Sequence, residues 1–187
     1  LVFLAVSFIL NGYFIINSFD VWKITYLFHS LREPNIDSIW AFTSLGTGAI
    51  NFLSLVLFLL SYIILVYYHK KYDFLALSFI LTLLFLLFNK IFSPQYILWL
   101  LPFFVLLKNT NRGVFYSLEA INLVVFFSTL YWIFVSQEQV FLVLSHIAVV
   151  MRSLLLAYLA YVVLSRARHT VTILKTKTFI YLYHIYL

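Results

Sequence analysis

The chain has 187 residues, of which 65% are hydrophobic and 10% are charged, and its formal net charge is +6. This composition excludes a water-soluble globular domain, which needs a charged surface, and is typical of an integral membrane protein. The absence of cysteine excludes disulfides and thiolate metal sites. The basic residues lie mostly in short loops, which favours a role in membrane topology over a nucleic-acid partner.

Six apolar segments of helical length follow one another along the chain. They cover residues 1–19, 44–68, 73–88, 91–107, 113–135 and 139–164. A lipid-embedded segment must satisfy its own backbone hydrogen bonds, and the alternation typical of a membrane barrel is absent, so we expect helices. The predicted fold is all-α: one transmembrane domain over residues 1–187, a polytopic helix bundle with about six spans.

The first apolar segment begins at Leu1, without an initiator Met or a basic leader. We therefore expect the C-terminal part of a longer protein and no signal peptide. The loop that follows, residues 20–43, opens with "DVWKITYLFHSLREP", which mixes apolar and basic residues. This pattern predicts an interfacial helix lying flat on the membrane.

The basic residues predict the orientation of the chain. They collect in alternate connections, at Lys70, Lys71, Lys108, Arg112, Arg166 and Arg168. Cytoplasmic loops are enriched in Lys and Arg, so these connections and a basic tail over residues 165–187 should be cytoplasmic. The tail should be attracted to anionic lipid. Residues 20–43, 89–96 and 136–139 should then share the extracytoplasmic side.

A polar stretch, "NKIFSPQYILWLLP", separates the third and fourth apolar segments. Ser93 followed by Pro94 predicts a helix start, with Ser93 as the N-cap and Pro94 at the first helical position. The helix should run to residue 107 with a kink at Pro102. At about 21 Å it would be too short for an apolar layer about 30 Å thick, so its N-terminus should lie below the outer surface.

This helix start carries candidate anion ligands. Free N–H groups and the helix dipole favour an anion, Lys90 lies just before them, and Gln95 and Tyr96 supply donors. The pattern therefore predicts a phosphate pocket at the membrane edge. The alternative is a capped helix start with Lys90 reaching to lipid headgroups.

Two charges lie inside predicted spans. Glu119 and Arg152 fall at depths from which a long arginine side chain could reach the carboxylate, and intramembrane charges usually pair inside the bundle. We predict a structural contact between them, shared with Asn122; the alternative is that both reach toward water or headgroups. The five histidines show no metal-ligand spacing, so no metal site is predicted.

The motif "NKIFSPQYILWLLPFF" resembles a segment of GT-C-type membrane glycosyltransferases that use polyprenyl-phosphate sugars, most closely alpha-mannosyltransferases of the kind grouped in glycosyltransferase family 87. "FHSLREPNIDSIWA" looks like a second segment of that family. The likeness covers residues 20–107. It implies a helix bundle with an extracytoplasmic active face and direct sugar transfer with inversion.

The resemblance also implies site residues and partners. Lys90, Ser93, Gln95 and Tyr96 would bind the lipid-linked sugar phosphate, with Arg32 and His29 near the phosphate. The acceptor would be a glycan or glycolipid, membrane lipid would surround the protein, and neither cofactor nor nucleic acid is expected. The family's catalytic carboxylate usually precedes the matched region, so this chain should supply donor binding and scaffold. Asp37 is a candidate substitute, where the family usually has Glu.

Three other interpretations remain open at this stage. His29 and Arg32 could simply anchor an interfacial helix in the headgroups. The short helix with a buried start also suits a membrane transporter or lipid flippase subunit, although no inverted repeat is evident. A purely structural membrane subunit would use the polar stretch for stability alone.

Overall fold

The computed structural model describes residues 2–68, 72–107 and 112–185, without the side chains of Phe3 and of residues 166–185. All elements in these ranges are helical. The α-helices are α1 (Val2–Asn17), α2 (Phe19–Leu31), α3 (Thr47–Tyr67), α4 (Phe74–Phe88), α5 (Leu101–Leu106), α6 (Arg112–Phe134) and α7 (Gln139–Ile185), and 3₁₀ helices cover Ile39–Phe42 and Pro94–Leu100. The predicted all-α fold is confirmed in the described ranges.

Helices α1 and α2 form a sharply bent pair. The chain turns by 114° between them, and Ser18 at the break has φ −150° and ψ 48°, outside the helical region. The Trp22 indole on α2 donates to Asn11 Oδ1 on α1 at 3.2 Å, which braces the bend. The loop segment predicted to be an interfacial helix is helical, as α2, and its position flat on the membrane stays a prediction.

Three described helices are long and apolar enough to cross a membrane: α3, α6 and the first part of α7, Gln139–Ser165. The count rises to four if the bent pair α1 and α2 forms one span. The six predicted spans are therefore not confirmed. Helix α4 and the segment Pro94–Leu106 are apolar but shorter than a full span, because several apolar residues of these runs lie in the connections.

The core lies where α4, the segment 94–106, α6 and α7 meet. Helix α4 is apolar around its whole circumference, which is typical of a helix enclosed by others. Its Phe79, Ile80 and Leu86 are fully buried. Phe79 and Leu86 belong to one buried cluster, which also includes Leu83, Phe92, Ile97, Leu100, Phe104, Leu118, Leu156, Leu159 and Ala160.

The predicted helix from Pro94 forms in two parts. Pro94–Leu100 is a 3₁₀ helix, and α5 continues for six residues to Leu106. Residues three apart lie on one face of a 3₁₀ helix, and Ile97 and Leu100 accordingly share the buried face. The change of helix type occurs next to Pro102, which has no N–H to continue the earlier ladder. The two parts together are about 23 Å long, so the predicted short helix is confirmed.

Helix α7 continues without a break from Gln139 to Ile185. The predicted basic tail is therefore an extension of the last spanning helix, and not a separate segment, up to residue 185. The orientation prediction depends partly on Lys70, Lys71 and Lys108, which lie outside the described residues. It stays a prediction.

Candidate functional site

The loop between α2 and α3 is fastened to the end of α4. The last carbonyl of α4, that of Phe88, accepts hydrogen bonds from the Trp40 indole at 2.8 Å and from Ser54 Oγ on α3 at 2.7 Å. The Asn35 N–H donates to the Lys90 carbonyl at 3.0 Å. These bonds bring the two segments that carry the predicted site residues, 28–41 and 89–102, side by side.

The Lys90 side chain joins these two segments. Only 8% of the residue is exposed, and its ammonium donates to the carbonyls of Ser30 at 3.1 Å and Arg32 at 2.6 Å. Both acceptors lie at the C-terminal end of α2, where carbonyls lack helical partners and the dipole favours a cation. Lys90 therefore reaches toward the C-terminal end of α2. An ammonium has three donors, so one remains for a ligand.

Arg32 places a second positive charge beside Lys90. Its guanidinium is exposed and donates to Asn35 Oδ1 at 3.1 Å. Burial, and secondarily the Arg32 charge, lowers the pKa of Lys90. Among the described residues, no carboxylate lies at ion-pair distance from either charge. We call Arg32 and Lys90 the cation pair.

A cavity of about 220 Å³ opens beside Lys90, between α3 and α4. Its polar lining consists of Asn51, Ser54, Asn89 and Lys90, and its apolar lining of Leu55, Phe58, Phe85 and Phe88. Asn51 Nδ2 also donates to the Ser30 carbonyl at 2.6 Å, so α3 helps to hold the end of α2 in place. The cavity thus has the amphipathic lining that a charged group on an apolar chain requires.

The other predicted phosphate ligands are not gathered around Lys90. Ser93 takes the N-cap position, but its hydroxyl caps no N–H and donates to Gln95 Oε1 at 2.7 Å. Tyr96 stacks on Trp99 with ring centroids 4.6 Å apart. His29 packs edge-on against Phe28 at the exposed end of α2. The structure therefore brings together Lys90 and Arg32, and shows no hydrogen bond from His29, Gln95 or Tyr96 to either.

A second group of polar residues is buried between the loop, α6 and α7. Thr129 Oγ1 donates to Asp37 Oδ1 at 2.9 Å and lies 2.7 Å from Ser145 Oγ. Asn122 Nδ2 donates to the Pro94 carbonyl at 2.8 Å. We call Asp37, Asn122, Thr129, Ser145 and Arg152 the polar network.

Arg152 is at the centre of the polar network and is fully buried. Its guanidinium donates to Asn122 Oδ1 at 2.8 Å and to the Asp37 carbonyl, and it lies 3.9 Å from the centre of the Phe92 ring. The last contact has cation–π geometry. The predicted contact between Arg152 and Asn122 is confirmed.

The predicted contact between Glu119 and Arg152 does not form. Glu119 Oε1 is enclosed and has no hydrogen-bond partner. It lies about one turn closer than Asn122 to the start of α6, whereas Arg152 points toward the loop, where a carbonyl and an aromatic face are available in addition to Asn122. The two terminal nitrogens of the guanidinium bind these neutral groups, and its Nε is buried without a hydrogen-bond partner.

Asp37 is buried to 8% exposure, in contrast to an ordinary loop carboxylate at a solvated rim. Burial raises the pKa of Asp37, and the Thr129 hydrogen bond and the Arg152 charge partly oppose that shift. Its Oδ2 atom has no hydrogen bond to a described residue and is not among the enclosed unpartnered atoms. Oδ1 is therefore the only oxygen of this carboxyl group with a hydrogen-bond partner among the described residues.

Sequence reasoning missed Asn35, Asn51, Thr129 and Ser145. A signal for the last three was present, because polar residues within otherwise apolar helices usually face the bundle interior. Asn35 carries only a turn signal, in "EPNID", and nothing in that signal identifies Lys90 as its partner.

Within residues 2–68, 72–107 and 112–185, no group of three or more His, Asp and Glu side chains could hold a metal ion. Comparisons with protein-family models, with curated proteins and with solved structures find no match to this chain. The likeness to membrane glycosyltransferases therefore remains a prediction from the two motifs.

Proposed function

We propose that this protein is a membrane glycosyltransferase that binds a polyprenyl-phosphate-linked sugar, with mannose as the transferred sugar. The observation that carries the proposal is the cation pair. Arg32 and Lys90 meet at the edge of the bundle with no carboxylate at ion-pair distance in the described residues.

An anion would remove the repulsion within the cation pair. Burial is the main cause of the lowered pKa of Lys90, and the nearby Arg32 charge lowers it further, because like charges disfavour each other. A phosphate between them would accept charge-assisted hydrogen bonds from the Arg32 guanidinium and from the remaining Lys90 donor. The bonds from Lys90 to the α2 carbonyls hold its ammonium in position before a ligand arrives.

The adjoining cavity favours a lipid phosphate over a free one. Its polar lining includes Lys90 and its apolar lining is built from phenylalanine and leucine side chains. A phosphate at Lys90 could therefore continue into an apolar chain against Phe58 and Phe85, which themselves pack edge to face. This lining, together with the resemblance of both motifs, supports a polyprenyl phosphate as the ligand; sugar transfer is supported by the motifs alone.

Binding of polyprenyl phosphate tests the cation pair. The protein in detergent micelles is mixed with radiolabelled polyprenyl phosphate, and bound lipid is measured after filtration. Lys90→Met and Arg32→Met should each weaken binding by about tenfold or more, because each removes charge-assisted hydrogen bonds. Lys23→Met is the matched control, since Lys23 is an exposed basic residue on α2, the helix that ends just before Arg32. Equal binding by all four proteins would contradict the proposal.

Sugar transfer is tested with labelled polyprenyl-phosphate mannose in the presence of membrane glycolipid. The cation-pair variants should lose transfer in proportion to binding, and Lys23→Met should retain it. A transporter or flippase is the second candidate, favoured by the bend between α1 and α2, a geometry that also fits a broken span. Movement of the labelled lipid between liposome leaflets without any transfer would favour that candidate.

We further propose that the cation pair faces the extracytoplasmic side, as the basic loops predict. The lack of native cysteine permits a direct test, because a single introduced cysteine is the only thiol. Glu33→Cys, at an exposed position beside Arg32, should react with a membrane-impermeant maleimide on intact cells. Reaction only after the membrane is opened would contradict this orientation.

A further inference from the structure

The polar network and the cation pair are joined by one tight turn, residues 35–38. The Ser38 N–H donates to the Asn35 carbonyl at 2.9 Å, which closes the turn, so the Cα atoms at its two ends are less than about 7 Å apart. Asn35 opens the turn and contacts both members of the cation pair, through the Arg32 guanidinium and the Lys90 carbonyl. Asp37 lies within the same turn. The cation pair and Asp37 are therefore attached to the same short segment of the loop.

The Asp37 side chain is held by a directed chain of hydrogen bonds. Thr129 has one hydroxyl hydrogen and donates it to Asp37 Oδ1. The 2.7 Å contact between Thr129 and Ser145 must then have Ser145 as the donor. Arg152 holds the backbone of the same residue through the Asp37 carbonyl. Helices α6 and α7 thus orient the carboxyl group through its Oδ1 atom and leave Oδ2 without a partner among the described residues.

A preoriented carboxyl oxygen that lacks a partner suits a hydroxyl donor. Asp37 Oδ2 has no hydrogen bond to a described residue and is not enclosed. The negative charge of a carboxylate would repel a phosphate at this position. A hydroxyl group could instead donate to Oδ2 without any change in the Thr129 contact. Carboxyl groups in mostly buried surroundings form strong hydrogen bonds to such donors.

We propose that Asp37 binds a hydroxyl group of the sugar and distinguishes the sugar-loaded lipid from the bare lipid phosphate, with Thr129 and Arg152 as positioning residues. The inference rests on the proposed function, since it places the sugar by reference to a phosphate at the cation pair. The cation pair and Asp37 then have different roles in binding. The cation pair binds the phosphate in both lipids, and Asp37 contributes only when a sugar is attached.

The test compares two labelled ligands, polyprenyl phosphate and polyprenyl-phosphate mannose, on the protein in micelles. The unmodified protein should bind the sugar-loaded lipid roughly tenfold more tightly. Asp37→Asn removes the negative charge and replaces one carboxyl oxygen with an NH2 donor, so it should abolish that preference and change affinity for the bare lipid less than about twofold. Thr129→Val should also reduce the preference, and Thr129→Ser, which keeps the hydroxyl, should restore it.

Ser128→Ala is the matched control. It removes a buried hydroxyl on the same helix, but that hydroxyl donates to the Val124 carbonyl and does not contact Asp37. The preference should survive in this variant, and circular dichroism melting of each variant establishes that it is folded.

The outcomes separate the two proposals. Bare-lipid binding that depends on Lys90, combined with no preference for the sugar-loaded lipid in the unmodified protein, overturns the role of Asp37 and leaves the phosphate site standing. A preference that persists in Asp37→Asn, or an equal loss of both lipids in that variant, also overturns the role of Asp37. Failure of the unmodified protein to bind either lipid overturns the proposed function and this inference together.

Discussion

Arg152 and the cation pair show two ways in which one chain accommodates positive charge. Arg152 is fully buried, yet it finds an amide oxygen, a backbone carbonyl and an aromatic face. Arg32 is exposed and Lys90 is largely buried, and their described partners leave donors of both side chains unused. Arg152 joins the loop to two helices even though its buried Nε has no hydrogen-bond partner. The cation pair is suited to a ligand, because an anion would lower its free energy without disturbing the fold.

The largest expected effect comes from Arg152→Met. This change keeps most of the side-chain volume but leaves the Asp37 carbonyl and Asn122 Oδ1 without their donor. It also removes the charge that opposes the burial shift of Asp37. We expect a loss of about 2–4 kcal/mol in the free energy of unfolding, because two buried acceptors lose their donor. Reversible unfolding with SDS in mixed micelles measures it. Leu154→Ala, at an exposed position on the same helix, is the control, and an equal effect of the two changes would contradict the assigned role of Arg152.

Asn122→Leu should have the next largest effect. The amide accepts from Arg152 and donates to the Pro94 carbonyl, so it fastens the start of the 3₁₀ helix to α6. Its loss should lower the free energy of unfolding by about 2 kcal/mol in the same assay, since two buried groups lose a partner. The neighbouring exposed Leu123 supplies the control, Leu123→Ala. A stability unchanged by Asn122→Leu would show that the two bonds add nothing to folding.

Lys90→Met sharpens the comparison, because its effects on stability and on binding should differ in size. The change removes the ammonium from the C-terminal end of α2 and should lower the free energy of unfolding by about 1 kcal/mol. Its effect on lipid phosphate binding should be about tenfold or more, as described above. A large loss of stability with unchanged binding would reverse this assignment and make Lys90 a structural residue like Arg152.

The smallest expected effect is a dependence of stability on pH that is due to Asp37. Because burial raises its pKa in the folded state, the folded protein binds more protons than the unfolded chain between the ordinary and the raised value. The free energy of unfolding should therefore fall as pH rises through that window. Thr129 and Arg152 oppose the shift, which keeps the effect small. Unfolding in mixed micelles at several pH values from about 4 to 7 should show this slope, and Asp37→Asn should lack it. An identical slope in both proteins would assign it to another group.

Part of the candidate site could be predicted from the sequence. The motif around residues 89–102 identified Lys90, and the loop motif identified Arg32; the structure places them in contact. The predicted helix start at Pro94 and its short length are correct, since the residue before a proline avoids helical geometry and apolar residues can simply be counted.

Some hydrogen bonds could not be predicted, because the sequence offered each donor several acceptors that were equally within reach. Arg152 could reach several acceptors on α6, and only the position of the loop decides for Asn122 and the Asp37 carbonyl over Glu119. Ser93 could cap the 3₁₀ helix or bind Gln95, and the folded chain takes the second arrangement. The six predicted spans are not confirmed, because hydropathy counts apolar residues in connections as well as in helices, and two of the described apolar helical segments are shorter than a full span.

The sequence by itself determined that this is an all-helical protein with membrane-spanning segments, because its few charges cannot cover a soluble surface and apolar helical runs need no partner to be recognised. Only the tertiary structure decided that Lys90 turns to the end of α2, that Asp37 is buried against Thr129, and that Arg152 joins the loop to two helices. Local patterns set which groups must be satisfied. Which distant group satisfies each of them depends on how the helices pack.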